Sequence, residues 1–475
     1  MRKLVKSVLA AVLTASVVIS LPAVAYADGD AAEAVKKKSY ETAPDTDSLR
    51  GWPEGPKVYA GAAIIMDMDS SAILYGKNID EKRYPASITK LLTALVAVEN
   101  SGFEDEIVFS DDSISFLEYD DAHIGMKPGE ILSMKDALYG LLLASANEVA
   151  YAIAENVGEK MGGGYDTFIQ AMNDRAAELG CTGSHWTNAN GLHDENHYTT
   201  AHDMALIAAE VSEHQELLDI MQTLNYTIGT TNLVDETRTF QQHHKMLWQG
   251  NSNYYEYCIG GKTGYTDDAG TTLVTMADNG QMRLAAVVLY DYGTDAYVDT
   301  RAMFDYTYSN FSKISLLEQE KPDEIRSYTD TEAYVVLPAG INYEDLEMEI
   351  TVLDEKEGTG KVTYLYQGQN VGSTEVTLTP EYVQSATGYT TRLQINEKSA
   401  EFGKDIRADE GIPLWGRILI GAGAAAAVLA VLLLLAILRH TRKKLRIRRR
   451  RQQMLAERRR RERRRTHDRQ RRYEL

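Results

Sequence analysis

A serine and a lysine three positions apart, Ser87 and Lys90, stand at the head of an apolar stretch, ITKLLTALVAV over 88–98. Apolar side chains all round a helix mark one that is buried on every side. A lysine is rarely fully buried unless it is paired or gives up its charge. Pro85 just ahead puts Ser87 in the first helical turn, and residues at i and i+3 share a face. Backbone N–H groups at that end lack partners, and the helix dipole there favours negative charge. A serine so placed can attack a carbonyl while its own N–H holds the developing oxyanion. Desolvation favours the neutral amine of Lys90, which can then take the serine proton. Taken alone the pair means little, since it arises by chance about once or twice in a chain this long. A capping serine beside a snorkelling lysine is the simpler account.

Two triplets change that balance. Ser145-Ala146-Asn147 lies in a second helical region, and Lys262-Thr263-Gly264 lies in YCIGGKTGYTDDAGTTLV, just before a strand. The order Ser-x-x-Lys, Ser-x-Asn, Lys-Thr-Gly is that of penicillin-recognising serine enzymes. With these motifs the chain resembles the D-alanyl-D-alanine carboxypeptidase family, the low-molecular-mass penicillin-binding proteins. The likeness extends to MKPGEILSMKDALYGLLLASANEVA and LGCTGSHWTNANGLHDENHYTTAHDMALIA, covering 55–310, with a family-like β domain after it.

The resemblance implies a role for each residue. Ser87 is the nucleophile, Lys90 its base, and Ser145 a proton relay to the leaving amine. Asn147 hydrogen-bonds the substrate's peptide backbone. Lys262 and Thr263 offer a cation and a hydroxyl to the terminal carboxylate. Gly264 keeps the strand clear of the substrate, and the N–H of Tyr265 completes an oxyanion hole with that of Ser87. The implied substrate is a peptidoglycan stem peptide losing its last D-alanine, with β-lactams as acylating inhibitors and neither cofactor nor metal.

Three departures stand out. Glu148 follows Asn147 where the family often has Asp. Arg301, the only arginine in YDYGTDAYVDTRAMFDY, comes too late to serve as a carboxylate-binding arginine. A true apolar span with a basic tail stands where relatives end in an amphipathic anchor.

Two other functions compete. A class A β-lactamase shares the triplets but adds a glutamate in a Glu-x-x-Leu-Asn context, and no such segment lies between Ser145 and Lys262. A non-catalytic penicillin-binding sensor would use the same pocket to report inward. His193, His197 and His202 in HDENHYTTAH invite a metal reading, but without His-Glu-x-x-His they read as structural. His243 and His244 carry less information still.

The elements that must position these groups follow from patterning. AAIIMDMDSSAILYGKN predicts two short strands around an Asp-Ser-Ser turn, and TTLVTMADNGQMRLAAVVLYD two more joined at Asp278-Asn279-Gly280. Ser133 and Asp136 predict a capping box opening a helical cluster that runs to about 180. Strands at both ends with helices between them predict an α+β fold whose sheet is closed by distant segments. The resemblance makes this a β-lactamase/transpeptidase-like catalytic domain over 51–315, an antiparallel sheet flanked by helices with a helical subdomain. A small β-rich domain is expected over 323–393, from runs such as MEITVL and KVTYLY.

The ends carry sorting signals. Arg2, Lys3 and Lys6 before an apolar run, then Ala25-Tyr26-Ala27, predict a signal peptide over 1–27, with a polar linker over 28–50. After a linker over 394–417, the 21 uncharged residues of 418–438 reach about 30 Å, enough for one transmembrane helix. Residues 439–475 hold 19 Lys+Arg against 4 Asp+Glu, so this tail is expected in the cytoplasm of a bacterial cell, against lipid headgroups, with the catalytic domain outside. The whole chain is nevertheless at −19, so the region before the span is strongly acidic and nucleic acid is not an expected partner. Cys181 and Cys258 allow one disulfide or two free thiols.

Overall fold

The structure is a computed structural model that describes residues 33–386 and the backbone of 391–394. The expected signal peptide, transmembrane span and basic tail lie outside the described residues. Among the described residues no helix is long and apolar enough to cross a membrane.

Five antiparallel strands build the central sheet: β1 (Ala62–Asp67), β2 (Ile73–Lys77), β3 (Cys258–Thr266), β4 (Gly270–Asp278) and β5 (Arg283–Asp291). Their order is β2-β1-β5-β4-β3, so two N-terminal strands meet three that follow about two hundred residues later. Every residue of β1 is buried, because both faces of the sheet are covered. Side chains alternate between two cores: Ala62, Ile64 and Met66 enter one, and Ala63 and Ile65 the other. In β5, Ala285, Val287 and Leu289 join the first core while Leu284, Ala286 and Val288 join the second. A strand covered on both faces reads as a continuous apolar run rather than an alternating one.

The first core is filled by helices α1 (Lys90–Asn100), α2 (Met134–Leu142), α3 (Asn147–Lys160), α4 (Tyr165–Glu178) and α5 (Ala201–Ser212). Lys90 through Ala97 of α1 are all buried. Each fully buried leucine there contributes roughly 1.5–3 kcal/mol, which offsets the cost of enclosing an amine. The N-cap of α2 is Ser133, whose Oγ accepts the N–H of Asp136 at 3.1 Å. The second core lies under α6 (Asp295–Asn310) and is shared with the C-terminal strands.

Those strands form a five-stranded antiparallel sheet in the spatial order Ile325–Tyr328, Gln369–Leu378, Thr359–Tyr366, Glu347–Asp354, Thr391–Gln394. Phe311–Ser315 pairs with Tyr334–Pro338, so a ladder bridges the expected break between 315 and 323.

One expectation is corrected. The described part of the 28–50 linker, 33–50, is ordered and packed: a helix runs over 33–41, a 3₁₀ turn over Asp45–Ser48, and Thr46 is buried. The buried Lys77 Nζ donates to the carbonyls of Ser39 at 2.7 Å and Val58 at 2.8 Å, and Lys36 pairs with Asp295. This segment adheres through polar contacts, which hydrophobic periodicity does not register.

Candidate active site

Ser87 sits in a 3₁₀ turn, Ala86–Thr89, and Lys90 is the first residue of α1. The expected α-helical first turn is therefore tighter than anticipated. With about three residues per turn, positions i and i+3 eclipse, and Lys90 Nζ lies 3.0 Å from Ser87 Oγ. Lys90 is wholly buried, and that burial, with Lys262 nearby, holds its amine well below the ordinary lysine range. Its other partners are Asn147 Oδ1 at 2.8 Å and the Asn190 carbonyl at 2.6 Å. A neutral amine has two protons and a lone pair. The two carbonyl acceptors engage the protons, which leaves the lone pair facing the Ser87 hydroxyl.

Ser145 is not helical, as its place in a helical region suggested, but occupies the tight link between α2 and α3 with a positive φ of 60°. That left-handed conformation is uncommon outside glycine and characteristic of constrained sites. Asn147 opens α3, directly after the N-cap Ala146. Since Asn147 Oδ1 is engaged by Lys90, its Nδ2 is the group left to meet a substrate carbonyl.

The third motif comes from β3, the edge strand of the sheet. Lys262 is buried and donates to Ser145 Oγ at 3.0 Å and to the Thr263 carbonyl at 2.7 Å. Burial lowers its pKa to about 7. Thr263 is half-buried on the same strand, and Tyr265 is largely exposed, its hydroxyl donating to Asp267 at 3.1 Å. Gly264 has a reason besides the expected one. A Cβ there would come within 2.8 Å of Ser87 N and 2.4 Å of Thr272 Oγ1, so glycine lets the strand meet the nucleophile's own turn. Lys90 thus joins Ser87 and Asn147, Lys262 joins Ser145, and the charge of Lys262 reaches Lys90, with Gly264 against Ser87.

Asn190 escaped the sequence analysis because it acts through its backbone carbonyl. The nearby Gly191, with φ +84°, was the available signal: its Cβ would fall 1.9 Å from the Ala86 carbonyl oxygen. Glu148 is fully buried, accepts the Ile124 N–H at 2.7 Å, and is pushed above the carboxyl range by desolvation. Arg301 donates to the Tyr254 carbonyl and stacks over the Tyr255 ring, so it joins the α6 side of the sheet rather than this cluster. The three histidines disperse: His193 faces Asp268 at 3.5 Å, His202 faces Asp80 at 3.3 Å, and His197 is buried against Thr89. Among the described residues one set, Glu99, Glu210 and His214, has metal-like spacing, and the Arg175 guanidinium bonds both glutamates. Cys181 and Cys258 are both free thiols.

Comparison with known proteins agrees with this geometry. The sequence profile of the D-alanyl-D-alanine carboxypeptidase family matches residues 51–293. The chain is 30% identical over 275 residues to D-alanyl-D-alanine carboxypeptidase DacF of Bacillus subtilis strain 168, which spans 55% of this chain and 65% of that protein. It is 25% identical over 344 residues to D-alanyl-D-alanine carboxypeptidase DacD of Escherichia coli K12, spanning 68% of this chain and 84% of the relative. The fold is similar to crystalline penicillin binding protein 6B from Escherichia coli, with a TM-score of 0.53 at 22% identity over 70% of this chain and 98% of that one.

Proposed function

The chain belongs to the D-alanyl-D-alanine carboxypeptidase family of serine peptidases, and we propose that it removes the terminal D-alanine from peptidoglycan pentapeptides through an acyl-enzyme on Ser87. One observation carries this: Lys90 Nζ lies 3.0 Å from Ser87 Oγ with its remaining donor directions taken by Asn147 and Asn190.

In this scheme Ser87 Oγ attacks the carbonyl carbon of the penultimate residue as its proton passes to Lys90 Nζ. The carbonyl electron pair moves to oxygen, held by the N–H groups of Ser87 and Tyr265. Collapse of the tetrahedral state breaks the C–N bond. Ser145, hydrogen-bonded to Lys262, relays the proton held on Lys90 to the leaving amine, which restores the neutral Lys90, and D-alanine departs. Water then cleaves the ester by the same route reversed. Lys262 and Thr263 bind the terminal carboxylate, and β3, as an edge strand, pairs with the extended peptide. β-Lactams acylate the same hydroxyl.

The placement follows from sequence. The signal-like 1–27, the apolar 418–438 and the basic 439–475 support an extracytoplasmic enzyme anchored by one span, its tail against anionic headgroups. Within it, 51–315 is the catalytic domain and 323–393 an accessory β domain.

The test is D-alanine release from a pentapeptide, with mass spectrometry after incubation with penicillin. One adduct on Ser87, lost together with D-alanine release in Ser87→Ala, supports the reading. A folded chain that labels with penicillin but releases no D-alanine refutes it.

A further inference from the structure

The peptide joining Ala86 to Ser87 is a rigid plane. The Ala86 carbonyl oxygen points from one side of it and the Ser87 N–H, a donor to the oxyanion, from the other. Ala86 holds a left-handed φ of 51°, roughly 1–2 kcal/mol above the ordinary conformation for a residue with a Cβ. Rotation of this peptide changes ψ of Ala86 and φ of Ser87, leaves the Ala86 φ as it is, and would swing the Ser87 N–H out of line. A residue with a Cβ keeps such a φ only where its surroundings hold the turn.

Two glycines flank it. Missing Cβ atoms at Gly191 and Gly264 leave room for the Ala86 carbonyl and the Ser87 nitrogen respectively. These contacts set where the peptide lies but supply no directional bond. Direction comes from the i→i+3 backbone bonding of the 3₁₀ turn and from the Thr89 hydroxyl, which donates to the Ala86 carbonyl at 2.8 Å, and Thr89 Oγ1 in turn lies 2.9 Å from His197 Nε2.

The polarity of this chain is determined by its far end. The backbone N–H of Thr187 can only donate, and it meets His197 Nδ1 at 3.1 Å. Nδ1 is therefore the acceptor, Nε2 carries the proton, and that proton goes to Thr89 Oγ1. With its lone pair so engaged, the Thr89 hydroxyl aims its own proton at Ala86. His197 is 1% exposed and packs edge-on against Trp186, so the imidazole has no freedom to turn. The same connecting segment also receives Thr93 Oγ1 at the Ala189 carbonyl, 2.7 Å, and Lys90 at Asn190. It grips the nucleophile's turn at successive levels of one helix.

We propose that His197 is a positioning residue for acylation, acting through Thr89 on the Ala86 carbonyl to aim the Ser87 N–H at the developing oxyanion. This rests on the acyl-enzyme reading above. His197 touches no substrate, and burial lowers its pKa to about 3, so it remains a neutral donor through the working pH range.

The experiment uses the full-length protein and measures the rate of acylation by a fluorescent penicillin, with circular dichroism to confirm folding. His197→Leu keeps the bulk but loses both hydrogen bonds, and its acylation rate is expected to fall about 10- to 100-fold, in the range for a displaced oxyanion donor. His197→Gln places an amide N–H near the Nε2 position and keeps the bond to Thr89 while losing the acceptor at Nδ1, so it should recover much of the rate, with an unshifted pH profile. Thr89→Val breaks the chain at its middle without touching the histidine, and should lose as much as His197→Leu, the double variant losing no more than either. Thr89→Val acylating within about twofold of wild type overturns the proposal, whether or not His197→Leu folds. A folded His197→Gln chain as slow as His197→Leu also overturns it. If the wild-type chain is not acylated, this proposal and the acyl-enzyme reading fall together; wild-type acylation matched by the Thr89→Val chain removes this one alone.

Discussion

The Lys262 side chain donates to Ser145 Oγ at 3.0 Å, and Lys90 Nζ lies at the same distance from Ser87 Oγ. Two buried lysines thus each address a serine in one cluster. Both cannot keep a full charge in a poorly solvated pocket. Burial and the charge of Lys262 push Lys90 well below the lysine range, while burial alone brings Lys262 to about 7. Lys90 is thereby the neutral amine and Lys262 the residual cation.

The two lysines predict opposite limbs of the pH profile. A lysine is charged below its pKa, so the free enzyme loses the Lys262 cation as pH rises through about 7. kcat/KM for a carboxylate-ended peptide should fall across that range, since this parameter reports free-enzyme groups. Lys262→Arg, which stays charged, should carry activity further into alkaline pH. A profile unchanged by that substitution would assign the limb elsewhere.

Replacing the base is a sharper test. Lys90→Ala should slow acylation by about 10²–10⁴-fold, the usual range for a general base. Lys90→Arg should give no rescue, because a guanidinium does not surrender a proton. Stopped-flow acylation by a chromogenic β-lactam measures both.

Gly191→Ala tests the packing beneath the nucleophile. Its Cβ would lie 1.9 Å from the Ala86 oxygen, at a φ of +84°. The left-handed φ alone costs about 1–2 kcal/mol, and the clash must displace the Ala86–Ser87 peptide. Both the thermal midpoint and the acylation rate should drop, whereas a merely unstable variant would acylate normally below its midpoint.

A pH-dependent stability is expected from a buried pair behind the sheet. Desolvation, with the charge of Asp299, holds the Asp291 carboxyl well above the ordinary range. Asp299 accepts the backbone N–H groups of Tyr59 at 2.5 Å and Ala60 at 3.1 Å, which favours it as the ionised partner. A raised carboxyl pKa means the unfolded chain loses its proton first. The stability is fully present below the ordinary carboxyl range and is lost as pH rises towards the folded value. Lys77 beside the pair is lowered to about 8, so its opposing contribution begins only at the upper end. Buried neutral His197 and the lowered Lys262 act in the opposite direction, so the Asp291 contribution is read as a difference: relative to wild type, Asp291→Asn should gain in urea midpoint as pH rises from 5 to about 7.5.

Cys181 and Cys258 are separate free thiols, each raised by burial. A reductant should leave the thermal midpoint unchanged, and mass spectrometry of the denatured chain should count two alkylatable thiols. A reductant-sensitive midpoint would contradict the structure.

Much of the chemistry was legible in residue order alone. Ser87 and Lys90 raise the question because helical spacing is local and a lysine among leucines demands an explanation, and the order of the two later triplets supplies the answer. The strands around Asp69-Ser70-Ser71 and Asp278-Asn279-Gly280 were readable for the same reason, since turns and periodicity are properties of short windows. What such windows do not contain is partnership across distance. That Asn147 Oδ1 and the Asn190 carbonyl both bind Lys90, 57 and 100 residues away, follows only from how the helices pack. The 3₁₀ geometry at Ser87, the left-handed Ser145 and the approach of Gly264 to the Ser87 turn also required the tertiary structure, because each records a neighbour's backbone rather than a preference of its own. The segment over 33–50 was misread on the same physical ground: it adheres by hydrogen bonds to Lys77 and an ion pair to Asp295, and polar adhesion leaves no periodic mark on a sequence.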